Sequence, residues 1–142
     1  MNLNLKMQEE IGRLGHLKNA AAAIVDYVRT VSAESDFQPC YGWKLDPDNW
    51  ILLSFSTKYP TVTVSLAVQL ETLEALVKTL PEQTGLKLSW GRRVSWSRIY
   101  LKDVRHLPVA LRCIQYAYYY GINKYRKRHG KPTPPDSRNP EP

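Results

Sequence analysis

The chain has 142 residues, 43% of them hydrophobic and 23% charged, with a formal net charge of +7. That length and balance fit one soluble globular domain able to bury a core without disulfide staples. No apolar run approaches the roughly 20 residues that span a bilayer, and the N-terminus lacks the basic-then-apolar layout of a signal peptide, so the expectation is a cytoplasmic protein with no membrane partner.

Apolar residues recur at Met7, Ile11, Leu14, Leu17, Ala21, Ile24, Val25, Val28 and Val31, the spacing of an amphipathic helix over about 6–31. Gly12 and Gly15 weaken its first half. Residues 32–41, with their acids and Pro39, read as a connecting loop. Two strands follow. Residues 50–57 are rich in β-formers. In 61–68, Val62, Val64, Leu66 and Val68 point one way while Thr61, Thr63 and Ser65 point the other. A turn at Lys58-Tyr59-Pro60 makes them an antiparallel hairpin with one buried face. Leu73, Leu76, Val77 and Leu80 predict a short helix over 70–80, ended by Pro81 and a turn at Gly85.

A second hairpin is predicted from 86–90 and 94–101, turning at Gly91-Arg92-Arg93. Pro108 suits the first turn of a last helix, which runs through Leu111, Ile114, Tyr118, Ile122 and Tyr125 to about Arg128 before Gly130 and Pro132 stop it. The last eleven residues hold five prolines and are expected to be disordered. The order is therefore α-β-β-α-β-β-α. It describes an α+β fold with helices packed on a four-stranded antiparallel sheet, one domain over 1–131 and a tail over 132–142. Cys40 and Cys113 read as two reduced thiols, the second on the apolar stripe of the last helix.

The parts an enzyme would need are missing from the pattern. His16, His106 and His129 have no ligand-type neighbours at metal-binding spacing. No glycine-rich phosphate loop and no Gly-x-Ser-x-Gly elbow occurs. Pro47-Asp48 before a strand hints at a metal-dependent nuclease, but no Asp-x-Lys or Glu-x-Lys exists to complete one. Asp46 and Asp48 read as solvated loop charge. The expectation is a non-enzymatic protein with no catalytic residue, metal or cofactor.

The charge is distributed unevenly. From Leu86 to Lys131 there are twelve Lys or Arg residues against a single acid, Asp103, whereas residues 1–85 carry seven bases and ten acids. Clustered cations attract polyanions and release condensed counterions when phosphates dock. Two surfaces within this basic third are candidates. If Leu86, Leu88, Ile99 and Leu101 face the helices, then Lys87, Ser89, Trp96, Arg98 and Tyr100 lie on the other sheet face. Trp90 then shares the core face, and Arg92 and Arg93 crown the turn. Such a face offers base stacking and phosphate contact together. The competing arrangement buries Trp96 and Tyr100 under the N-terminal helix. The second candidate is the polar stripe of the last helix, Arg112, Tyr116, Tyr119, Asn123, Arg126 and Lys127, with Lys124 and Arg128 completing the cationic cluster. Asn123 is the candidate base reader. The competing reading is a solvated helix whose terminal cations complement its dipole.

The run Leu86-Lys-Leu-Ser-Trp-Gly-Arg-Arg-Val-Ser-Trp-Ser-Arg-Ile, followed by a long helix, resembles part of an uncharacterised domain family appended to putative restriction and defence proteins. The resemblance covers about forty residues, rests on Leu-x-Trp and Ser-Arg-Ile, and implies a DNA-linked context without any catalytic motif. The expectation is a nucleic-acid-binding domain, an accessory subunit of a DNA or RNA processing or defence complex. Its rival is a protein-interaction module using the same Tyr, Trp and Arg surface.

Overall fold

The computed structural model describes residues 3–81, 85–93, 95–128 and 130, the side chains of 3, 4, 122 and 124–128 excepted. The N-terminal stripe forms α1 (Leu3–Gly12) and α2 (Lys18–Val31), parted by a 3-10 turn at Gly15–Leu17 where the two glycines interrupt the pattern. Among the described residues six strands follow: β1 (Asp36–Pro39), β2 (Trp43–Asp46), β3 (Ile51–Ser56), β4 (Thr61–Leu66), β5 (Lys87–Trp90) and β6 (Ser97–Leu101). Helix α3 (Leu70–Val77) connects β4 to β5, and α4 (Leu107–Arg128) follows β6 after a 3-10 turn at Val104–His106. The strands form one sheet in the order β1-β2-β3-β4-β6-β5, with every neighbouring pair antiparallel.

The α+β architecture is as expected, but the sheet has six strands rather than four. The extra pair, β1 and β2, arises within residues expected to form a loop and the segment just after it. Each of these strands is only four residues long. Their stability comes from tertiary packing, because Phe37, Trp43 and Leu45 all enter the core. The tail over 132–142 lies outside the described residues.

The sheet carries its helices on one face. Val62, Val64, Leu66, Ile99 and Leu101 from its centre are fully buried in one cluster with Ile24 and Val28 of α2, Leu73 of α3 and Ile114 and Ala117 of α4. Trp43 belongs to the same cluster, and its indole Nε1 donates to Glu10 of α1. His16, in the turn between α1 and α2, hydrogen-bonds through Nε2 to the Lys102 carbonyl at 2.8 Å, just past the end of β6. The N-terminal helices are thereby fixed to the core side. Among the described residues no helix is long and apolar enough to cross a membrane.

Candidate nucleic-acid interface

Strand alternation sends every second side chain to the face without helices. Register then aligns those side chains in rows across the sheet. Lys44 of β2 pairs with Leu52 of β3, Leu52 with Ser65 of β4, Ser65 with Arg98 of β6, and Arg98 with Ser89 of β5. The next row runs Ser54, Thr63, Tyr100 and Lys87. None of these side chains is buried. At about 4.8 Å per strand, Lys44 and Arg98 stand roughly 14 Å apart. The expected outward face of the second hairpin is therefore present, and the arrangement that would bury Trp96 and Tyr100 under the N-terminal helix does not occur.

Two loops rise over this face. The β1–β2 turn carries Tyr41, 88% exposed, and the β5–β6 loop carries Arg92 and Arg93. The Arg92 guanidinium lies 5.5 Å from the centre of the Tyr41 ring, a cation–π contact that joins the loops. Both loops depend on glycine. Gly42 has φ +126°, and a Cβ there would sit 2.5 Å from the Leu53 carbonyl oxygen. At Gly91 a Cβ would sit 2.7 Å from the backbone of Trp96, whose carbonyl accepts the Gly91 N–H at 2.9 Å. Under the loops is a cleft of about 330 Å³. Leu52 and Ser65 lie on its sheet side, Trp96 contributes an aromatic wall, and Lys44, Arg92, Arg93 and Arg98 supply four cations. Among the described residues no carboxylate lines it. The salt bridges of the described residues, Arg29–Asp36 and Arg105–Asp103, leave all four cations out.

Beside the cleft, Tyr100 shares a 2.9 Å hydrogen bond with the Ser89 hydroxyl, and Lys87 lies 5.7 Å from its ring centre. The bond to Ser89, followed by the nearby Arg98 and Lys87 charges, lowers the Tyr100 phenol below its ordinary pKa of 10.0 despite partial desolvation. Trp90 keeps the core-side orientation expected of it, but at the sheet edge it is 53% exposed.

The α4 candidates occupy a different place. Helix α4 contributes to the core on the other side of the sheet from Arg98. Arg112 is half-buried and donates to Gln115 Oε1 at 3.3 Å. Tyr116 and Tyr119, expected on an exposed polar stripe, are half-buried and pack against the core. That expectation is corrected because the apolar contact on α4 is wider than one stripe. Tyr119 meets the buried Tyr118 edge to face at 5.3 Å, and Tyr116 stacks on Tyr120 at 6.0 Å. Asn123, the expected base reader, turns its amide back to the Tyr119 carbonyl. The side chains of Lys124, Arg126, Lys127 and Arg128 lie outside the described residues.

Arg92, Arg93, Trp96 and Arg98 are therefore brought together, while Arg112, Tyr116, Tyr119 and Asn123 belong to the helical layer. Lys44 and Tyr41 were missed. The alternation of Trp43 and Leu45 with Lys44 and Asp46 was the available signal, four residues long. Among the described residues, no group of three or more His, Cys, Asp or Glu side chains is placed to hold a metal ion. Comparison with protein families, curated proteins and solved structures finds no match for this chain.

Proposed function

We propose that the protein binds single-stranded nucleic acid on the open face of its sheet, without catalysing a reaction, as an accessory subunit of a DNA or RNA processing or defence complex. The observation that carries this reading is the convergence of Lys44, Arg92, Arg93 and Arg98 on a cleft with no carboxylate among its described residues, with Trp96 and Tyr41 beside them. Cations neutralise phosphates, and aromatic faces stack on any base for about 1–3 kcal/mol each. An open sheet face suits splayed bases, whereas reading a duplex groove favours a protruding helix or ribbon.

The test is a salt series with labelled single-stranded DNA, RNA and duplex DNA. Four phosphate contacts on a single strand give log K against log[salt] a slope of about −3. Single strands should bind more tightly than duplex. Salt-independent affinity, or no binding at low salt, would overturn the reading and favour a protein partner for the same surface.

A further inference from the structure

The four cations that can each meet one phosphate of a passing strand also converge on one small cleft, closely enough to surround a single, more highly charged group. Its volume of about 330 Å³ is at the small end of ligand pockets, which run from about 300 to 1,000 Å³. An internal phosphodiester brings one negative charge, whereas the cleft offers four cations from three arginines and a lysine. A terminal phosphate monoester is a closer match. It carries about −1.5 to −2 charges near neutral pH and three strong acceptor oxygens, which the forked guanidinium groups can engage in pairs.

The loops supply an independent reason. Tyr41 is on the β2 side of the cleft and Arg92 on the β6 side, and their contact crosses the intervening β3 and β4. A strand continuing across the sheet along the Lys44–Arg98 row would have to part them. A strand that ends there would not. Trp96, in the wall of the same cleft, offers a stacking surface for a terminal base.

We infer that the cleft binds the phosphorylated end of a nucleic-acid strand, the terminal phosphate among Lys44, Arg93 and Arg98 and the terminal base against Trp96. This inference rests on the open face being a nucleic-acid surface. Its test uses the full chain and three short labelled oligonucleotides of one sequence, bearing a 5′-phosphate, a 3′-phosphate or hydroxyls at both ends.

One phosphorylated form should bind about tenfold or more tightly than the hydroxyl form near pH 7.5, and the preference should narrow near pH 5 as the monoester dianion takes up one proton and falls to a single negative charge. Among the described residues the lining holds no histidine or carboxylate, so that response belongs to the ligand. Arg93→Ala should reduce the preference while leaving the melting temperature unchanged. Equal binding of all three oligonucleotides would overturn the end-recognition inference and leave the open-face reading standing. Binding of none of them, with binding of inorganic pyrophosphate retained, would overturn both.

Discussion

The rings of Trp50 and Tyr118 meet edge to face in the core, their centroids 5.5 Å apart, tying the start of β3 to the middle of α4. The Trp50 indole Nε1 also donates to Ser32 Oγ at 2.9 Å, which brings in the end of α2. Tyr118→Ala should cost about 3 kcal/mol or more, as loss of a buried aromatic does. Ser32→Ala, which strips a buried indole N–H of its acceptor, should cost about 1–3 kcal/mol. Urea denaturation of both variants checks this.

Tyr119 packs against the same cluster while half-exposed. Tyr119→Ala should therefore destabilise the protein by roughly 1–2 kcal/mol, less than Tyr118→Ala, since only part of its area leaves water. A loss equal to that of Tyr118, measured in the same denaturation series, would mean that the outer side of α4 is covered too.

Ser97 is fully buried opposite Leu66 and Trp90, and its hydroxyl has no hydrogen-bond partner among the described residues. Desolvating that hydroxyl costs free energy without return. Ser97→Ala should leave stability unchanged or raise it by about 1 kcal/mol. A clear drop in melting temperature would show that the hydroxyl is satisfied in solution.

Arg92 and Arg93 are exposed and Arg98 half-buried, all outside the core. Replacing any of them by Ala should alter stability by about 0.5 kcal/mol or less. On the proposed reading, each change should also flatten the salt dependence of single-strand binding, by about 0.7 in log–log slope for every phosphate that is no longer neutralised. Parallel melting and anisotropy measurements separate the two effects.

Burial pushes the Cys113 thiol up from 9.0 to about 12, with Arg112 opposing weakly. The folded state then holds its proton where the unfolded chain releases it. The stabilisation is full below pH 9.0 and is lost as pH rises toward about 12, at up to about 1.4 kcal/mol per pH unit. Cys113→Val should remove that part of the alkaline decline in a pH series of melts. Alkylation in the native state should mark Cys40, half-exposed beside the cleft, well before Cys113.

Where periodicity ran long enough, the sequence was a good guide. The α2 stripe, the Val62–Val64–Leu66 alternation and the inward Ile114 and Tyr118 all lie where their spacing puts them. The short β1–β2 hairpin was not legible, because four-residue strands beside Pro39 and Gly42 carry little pattern and are stabilised by contacts distant in the chain. Missing it concealed half of the cleft. Arg92, Arg93, Trp96 and Arg98 were visible as a cationic, aromatic hairpin, but Lys44 and Tyr41 join them only through sheet order. On α4 the spacing separated Tyr118 correctly and then undercounted the width of the buried contact.

The one-sided sheet also has a consequence for redesign. Thr63 and Ser65 alternate with Val62, Val64 and Leu66 along β4, so neighbours in sequence answer to different demands. A new side chain at Thr63 or Ser65 changes what the outer surface presents without displacing an atom of the core. The chemistry of that face can therefore be rewritten residue by residue on an unchanged scaffold, and a library confined to the outward positions of β3, β4 and β6 should return mostly folded proteins.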